Sequence, residues 1–229
     1  MQEQTARQAL IVLPGLTADG QKLESLSRFF SAHSPYAVYV PHIPKRRGLR
    51  ACAHWLDRYI NGVVEPGRFE AVQILAYISG GVVLRQMWAT RPIERLTRIV
   101  YVRSPIQELT LQTLRQRYGR LLLWVLRGQL MLDVAAVDLH RLCYPPATSG
   151  QGLIIETGVS RLARSLGVDP ALVSAGSWDS DTLLPGADDV LRVPESHDEV
   201  YTSAGVLGAA LHFFTQGRFD SSKNHATNG

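Results

Sequence analysis

The chain has 229 residues and a mass of 25.3 kDa, a length that fits one large domain. Apolar residues make up 45% and charged residues 19% of the sequence, which is typical of a globular protein and argues against a disordered chain. The net charge of +4 is too small to indicate a nucleic-acid partner. The sequence shows no apolar run of the roughly 18 residues that a membrane-spanning helix needs, and no secretory signal at its start. We therefore expect a soluble, cytoplasmic protein.

Short apolar runs alternate with helical patterns in the first half of the chain. Strands are predicted at residues 8–13, 36–40, 71–77 and 96–102, and helices at about 23–30, 49–63 and 82–89. Near-continuous apolar strands that alternate with helices are typical of a parallel sheet covered on both faces. The sequence therefore predicts an α/β fold with a mostly parallel central sheet.

The pattern changes after Pro105. A region of about residues 105–150 carries helical signals alone, and strand patterning resumes at 153–156 and 190–193 before a last helix at about 200–216. The final residues, 221–229, are polar and have no period, which predicts a disordered tail. We predict one domain over residues 1–220 with a helical insert at about 105–150.

The most informative stretch is the turn between the third strand and the helix after it, Ala76-Tyr-Ile-Ser-Gly-Gly81. Small residues at such a turn permit a sharp reversal of the chain. The stretch resembles the nucleophile elbow of the α/β-hydrolases, Gly-x-Ser-x-Gly, a strained turn that holds a serine over the sheet. Leu13-Pro-Gly-Leu16 resembles the oxyanion loop of that superfamily, and Pro194-Glu-Ser-His197 resembles its histidine loop. Over roughly residues 8–219 the chain is similar to bacterial lipases and esterases, which implies an α/β-hydrolase-like fold with helices on both faces of the sheet and a helical lid.

Two alignments of the elbow remain open. The alignment that places small residues on both flanks puts Ile78 at the nucleophile position, and isoleucine has no nucleophilic atom. The other alignment makes Ser79 the nucleophile but places the bulky Tyr77 two residues before it. We favour Ile78 at the nucleophile position, with Ser79 as a hydroxyl of the first helical turn.

The resemblance also implies a histidine and an acid for a catalytic triad. His197 follows the last predicted strand, where a triad histidine is expected. Asp169 is the first candidate for the acid that would orient the imidazole, and Asp179 and Asp181 are the alternatives.

The oxyanion loop differs from the superfamily pattern, because Pro14 stands where a histidine is usual. Proline has no backbone N–H, so the donors are expected at Gly15, Leu16 and Gly80. The histidines show no spacing typical of a metal site, so we expect neither a metal nor a cofactor.

The helical insert contains a dense apolar stretch, Leu121–Leu126, with arginines on both sides. Such a stretch is typical of a lid over an acyl pocket, of a surface for a protein partner or a membrane, or of a buried helix. Residues 45–50, Lys-Arg-Arg-Gly-Leu-Arg, form a compact basic run for which a solvated loop is the first interpretation.

Two hypotheses about function follow from these observations. The first is a non-catalytic relative of serine esterases and lipases, a pseudoenzyme that binds a small acyl or other apolar ligand, or a protein partner. The alternative is an active serine hydrolase of carboxylic esters or thioesters that uses Ser79, His197 and Asp169. We favour the first, because Ile78 at the elbow leaves the enzyme without a nucleophile.

Overall fold

The computed structural model describes residues 8–16, 18–63, 69–93, 95–139, 142–145 and 149–220. The strands are β1 (Gln8–Leu13), β2 (Ala37–Tyr39), β3 (Ala71–Tyr77), β4 (Leu96–Arg103), β5 (Gly150–Gly158) and β6 (Asp189–Ser196). The helices are α1 (Gly20–His33), α2 (Leu49–Val63), α3 (Ile78–Trp88), α4 (Pro105–Arg127), α5 (Gln129–Val134), α6 (Arg161–Ser165), α7 (Ser180–Leu183) and α8 (Ala204–Gln216). The strands form one sheet in the order β2-β1-β3-β4-β5-β6, and every neighbouring pair is parallel.

Two apolar layers cover the sheet, one on each face. In β1, Ile11 and Leu13 pack on the side of α2 and α3, whereas Leu10 and Val12 pack on the side of α1 and α8. Side chains along a strand alternate between the two faces of a sheet, so a strand that is buried on both faces must be apolar throughout. The predicted α/β fold with a parallel sheet and helices on both faces is therefore confirmed.

The predicted elements match the structure closely in the first half of the chain, where β1, β3 and α2 have the expected bounds. Two helices differ. Helix α3 begins at Ile78, directly after β3, rather than near Val82. Helix α8 begins at Ala204, with the Ser203 side chain accepting a hydrogen bond from the Val206 N–H, because the residues from His197 to Thr202 form turns.

Helices α4 and α5 fill most of the region between β4 and β5, where the sequence predicts a helical insert. The backbone of α4 is kinked at Gly119, whose φ of 69° and ψ of 166° are not helical. The buried Arg85 of α3 holds the chain after α5, since its guanidinium donates to the carbonyls of Leu139, Leu142 and Cys143. The predicted tail at 221–229 lies outside the described residues. Among the described helices, none has the length and the apolar character that a membrane span requires.

Candidate functional site

The carboxyl edge of the sheet brings together the turn after β3 and the loop after β6. Because the strands are parallel, their carboxyl ends lie at the same edge, where α/β proteins place their ligand sites. Ile78 follows β3 directly and His197 follows β6 directly, so both lie at this edge, as expected from the sequence. Leu13, the last residue of β1, ends at the same edge and leads into the loop of Gly15 and Leu16.

His197 is buried and is paired with a buried glutamate. Both carboxylate oxygens of Glu156, near the end of β5, lie 3.3 Å from Nδ1 of His197. Glu156 is fully buried, and an ionised carboxylate only accepts hydrogen bonds, so Nδ1 is the donor in a pair with ionised Glu156. The acid that orients the imidazole is therefore Glu156.

This pairing corrects the acid expected from the sequence. Asp169 lies on the surface before a short 3₁₀-helix, where its side chain accepts a hydrogen bond from the backbone N–H of Ala171. The alternative Asp179 caps α7 in the same way and accepts from the N–H of Asp181. These aspartates act as helix caps, because a short acidic side chain is well placed to accept from the first free N–H groups of a helix. Glu156 was missed because it belongs to an apolar strand, but a lone carboxylate within such a strand is itself a signal of a buried, paired acid.

Tyr201 completes the hydrogen-bonded group around His197. Its hydroxyl lies 3.4 Å from Nε2 of His197 and accepts a hydrogen bond of 3.1 Å from the backbone N–H of Gly15. With a proton on Nδ1, Nε2 is free to accept from the tyrosine hydroxyl. The chain Tyr201–His197–Glu156 therefore has the polarity of a hydrolase triad, with a tyrosine hydroxyl at the atom that a catalytic serine would face.

The side chain of Tyr201 is fully buried and stacks on Tyr77, with ring centroids 4.4 Å apart. Burial, and then the proximity of Tyr201 and Glu156, raises the pKa of Tyr77 well above its ordinary value, so that hydroxyl stays neutral. The Tyr201 ring thus contacts both the Tyr77 ring and the His197 ring, and the centroid of the latter lies 5.4 Å away. Sequence reasoning missed Tyr201, because it assigned that residue to the last helix rather than to the turns before it.

The turn after β3 lacks the strained backbone of a nucleophile elbow. Tyr77 is extended, with φ −83° and ψ 140°, and the helix begins at Ile78. Arg95 is the one non-glycine residue with positive φ in the described part of the chain. Neither Ile78 nor Ser79 therefore has the strained conformation that places a serine over a hydrolase sheet.

Ser79 lies on the first turn of α3 and is buried. Its Oγ accepts a hydrogen bond of 2.7 Å from the backbone N–H of Leu16, and no hydrogen bond joins it to His197. This N–H is one of the oxyanion donors expected from the sequence, and in the structure it donates to the side chain of Ser79 instead. Gly80 supports the contact between the two loops, because a Cβ at this position would lie 2.5 Å from the Leu13 carbonyl oxygen.

A cavity of about 60 Å³ lies beside Ile78, between the sheet edge and the helices α4 and α5. Apolar side chains that include Val82 and Leu111 line one part of it. Tyr101 lines it as well, and its buried hydroxyl has no hydrogen-bond partner among the described residues. Arg85 and Arg103 also reach this cavity and a neighbouring one of about 110 Å³. The described residues contain no group of three or more histidine, cysteine or acidic side chains that could hold a metal ion.

Comparison with known proteins rests on structure alone. No protein-family model and no curated protein matches the sequence. The NocB thioesterase domain, in a covalent complex with a fluorophosphonate nocardicin G analogue, is 16% identical with a TM-score of 0.55; the match covers 92% of this chain and 96% of that domain. An esterase from Thermogutta terrifontis is 11% identical with a TM-score of 0.54 and coverages of 93% and 91%. A bromoperoxidase from Bacillus anthracis is 10% identical with a TM-score of 0.55 and coverages of 92% for both chains.

These similarities extend over more than nine tenths of the chain, but the sequence identities are low. The similarities therefore show the fold of this chain and not its activity. In this chain the predicted elbow stretch follows β3, Glu156 lies in β5 and His197 follows β6. The chain has the α/β-hydrolase fold.

Proposed function

We propose that this protein is a non-catalytic relative of the serine esterases that binds a small acyl ligand in the cavity beside Ile78. The observation that carries the proposal is the Tyr201 hydroxyl at Nε2 of His197, where an active hydrolase would present its serine. In this arrangement the general base already has an internal hydrogen-bond partner. His197 and Tyr201 are both buried, which supports a closed pair rather than a base that is open to substrate.

The requirements of acyl transfer support the same conclusion. Nucleophilic catalysis needs an oxygen or sulfur nucleophile about 2.6–3.2 Å from a base, and Ile78 provides neither atom. It also needs backbone N–H groups that are free to bind the oxyanion. The N–H of Gly15 donates to Tyr201 and the N–H of Leu16 donates to Ser79, so two of the three expected donors are engaged by side chains.

The cavity beside Ile78 is suited to a small ligand with an apolar body and one polar end. A volume of about 60 Å³ exceeds the roughly 10–15 Å³ that a single water molecule needs and suits a short acyl chain. At the polar end, the Tyr101 hydroxyl is buried and unpaired among the described residues, and a buried unpaired hydroxyl costs about 1–3 kcal/mol. A ligand oxygen that accepts from Tyr101 would remove that cost. Arg85 and Arg103 line the same cavity; because Glu108, which also lines it, is paired with Arg103, Arg85 is the cation that favours a carboxylate over a neutral group.

The absence of catalysis is tested by reaction with a fluorophosphonate, which modifies only an activated serine. The NocB thioesterase domain, which forms a covalent complex with such a reagent, is the positive control. We expect no labelled peptide from this protein and no hydrolysis of p-nitrophenyl acetate above the level of a His197→Ala variant. A fluorophosphonate adduct on Ser79, together with ester hydrolysis that Ser79→Ala abolishes, would establish an active serine hydrolase instead.

Ligand binding is tested with butyrate as the probe and butan-1-ol as its uncharged match, by isothermal titration calorimetry. We expect butyrate to bind, and we expect Tyr101→Phe to lower the affinity for butyrate roughly tenfold. A loss of this size corresponds to about one hydrogen bond to a charged group. The substitution removes an unpaired hydroxyl, so the unfolding midpoint should hold or rise. Equal binding of the two probes, equal binding by Tyr101→Phe, or no binding of butyrate would contradict the proposed ligand class.

A further inference from the structure

The second half of helix α4 exposes a continuous set of large apolar side chains. Leu121 is 76% exposed, Val125 is 63% exposed and Trp124 is 51% exposed, and Leu122 and Tyr118 are exposed as well. Monomeric soluble proteins seldom expose so many large apolar side chains side by side unless the patch meets a partner or a membrane. We call the face formed by Tyr118, Leu121, Leu122, Trp124 and Val125 the α4 patch.

The kink at Gly119 sets this part of the helix apart from the rest. Gly119 has φ 69° and ψ 166°, a conformation that glycine adopts readily, and α4 continues after it for about two turns, to Arg127. Leu123, on the opposite side of this segment, is buried against Leu114 and Leu132. The segment is thus anchored by one side chain and presents its other apolar side chains outward.

The charged side chains on this segment of α4 are all positive. Arg117, Arg120 and Arg127 are exposed on the same segment, and the sequence has no acidic residue between Glu108 and Asp133. A short helix with exposed leucine and tryptophan and with arginines at its margins is typical of elements that lie in the plane of a membrane surface. Tryptophan in particular favours the boundary between lipid head groups and acyl chains.

The basic run at residues 45–50 lies beside the end of this segment. The N–H of Leu130 donates to the carbonyl oxygen of Lys45 at 3.2 Å, and a Cβ on Gly128 would lie 3.2 Å from the Cα of Arg46. Arg46, Arg47 and Arg50 are exposed. Burial lowers the pKa of Lys45, and the charge of Arg127 lowers it further. The effect of Arg127 agrees with the proximity of the basic run to the end of α4. Two basic segments that are far apart in sequence therefore border one apolar patch.

We propose that the α4 patch and the basic run form a docking surface for an anionic membrane. The apolar side chains would enter the head-group region, and the arginines would contact lipid phosphates. A second copy of this chain fits less well, because two identical faces would bring their arginines together in a low-dielectric interface. The inference is independent of the proposed ligand and of catalysis, so its test can fail while the proposed function stands.

The experiment measures co-sedimentation of the full chain with vesicles of phosphatidylcholine, with or without phosphatidylglycerol. We expect binding to the mixed vesicles that weakens as salt is raised, little binding to phosphatidylcholine alone, and a blue shift of Trp124 fluorescence that a Trp124→Phe variant lacks. Arg120→Gln with Arg127→Gln should weaken binding by roughly five-fold per arginine, about 25-fold for the pair. Leu121→Ser with Val125→Ser should abolish it, and both variants should keep the wild-type unfolding midpoint because the changed side chains are exposed.

Two matched controls separate this surface from general hydrophobic or charge effects. Leu172 is 71% exposed on another part of the protein, so Leu172→Ser should bind like the wild type. Arg58 and Arg91 are also exposed, so Arg58→Gln with Arg91→Gln tests the loss of the same charge elsewhere.

Each of the following outcomes would overturn the inference. They are the absence of binding to the mixed vesicles, an equal loss in the control variants, and a concentration-dependent dimer in light scattering that Leu121→Ser abolishes. Binding to a polyglutamate peptide without binding to vesicles would overturn it too, and would assign the surface to an acidic protein.

Discussion

The Tyr201 hydroxyl oxygen lies 3.4 Å from Nε2 of His197, while Glu156 lies 3.3 Å from Nδ1 of the same ring. The histidine thus has both ring nitrogens engaged by side chains of the protein. In an active triad one nitrogen is left for the nucleophile and, later, for the leaving group. This relationship makes Tyr201 the residue on which the site predictions depend.

The first prediction concerns the restoration of a nucleophile. Ile78→Ser alone should leave p-nitrophenyl acetate hydrolysis at the wild-type baseline, because the Tyr201 hydroxyl still faces His197. Ile78→Ser with Tyr201→Phe should raise hydrolysis by about two- to tenfold, well below the 10²–10⁴-fold that a base contributes in a well-aligned site, because residue 78 lies in a helical turn rather than a strained elbow. Adding His197→Ala to the double variant should remove the gain. A single Ile78→Ser variant as active as the double one would show that Tyr201 does not obstruct the base.

The second prediction separates the two candidate acids by stability. Glu156→Ala leaves a small cavity and a buried imidazole N–H without its acceptor, so it should lower the free energy of unfolding by about 2–4 kcal/mol. Asp169→Asn keeps an acceptor for the Ala171 N–H at an exposed position and should change it by less than about 0.5 kcal/mol. Urea denaturation followed by circular dichroism measures both. Equal effects of the two substitutions would argue against the buried pair.

The third prediction uses two glycines with opposite surroundings. A Cβ at Gly80 would lie 2.5 Å from the Leu13 carbonyl oxygen and 2.8 Å from that of Pro14, and backbone atoms cannot move away cheaply. Gly80→Ala should therefore destabilise the protein by about 1–3 kcal/mol. Gly208, within α8, has nothing within 4 Å of a Cβ, so Gly208→Ala should stabilise it by about 0.5–1 kcal/mol. Thermal unfolding of the two variants gives the comparison, and a stabilising Gly80→Ala would contradict the close approach of the two loops.

The fourth prediction concerns acid stability of the turn that carries His197. The backbone N–H and the hydroxyl of Ser196 donate to the Glu199 carboxylate at 2.8 and 2.7 Å, and these bonds hold the Glu199 pKa below its ordinary value. A lowered folded-state pKa stabilises the protein fully above the unfolded pKa of about 4.3, and the contribution is lost as the pH falls through the folded-state pKa. Glu199→Gln removes the ionisable group, so its stability deficit should be largest at neutral pH and shrink below about pH 4.

Melting temperatures of the wild type and Glu199→Gln across this pH range measure the difference. Glu24→Gln is the matched control, because Glu24 forms an exposed ion pair with Arg28 within one helix. Such a pair contributes little, so this control should follow the wild type closely. A deficit of Glu199→Gln that stays constant from neutral to acidic pH would show that the carboxylate charge does not stabilise the turn.

Much of the fold was predictable because its signal is local. Gln8–Leu13 and Ala71–Tyr77 are apolar runs ended by Pro14 and by the Ser79-Gly-Gly81 stretch, so the strands and their ends could be read directly. The position of His197 after the last strand was predictable for the same reason. The start of α3 was not, since Tyr77 and Ile78 are as apolar as the strand before them and carry no helix signal.

The sequence by itself determined the alternation of strands and helices and the histidine at the sheet edge, and it left open whether Ile78 or Ser79 stands at the nucleophile position. Tertiary structure alone decided what faces that histidine, because Glu156 and Tyr201 are 41 residues before and 4 residues after His197 and lie on different elements. It also decided that residues 45–50 border the α4 patch. The physical reason is that a parallel sheet aligns the ends of strands that are distant in sequence, and no local pattern of residues encodes which side chains meet there.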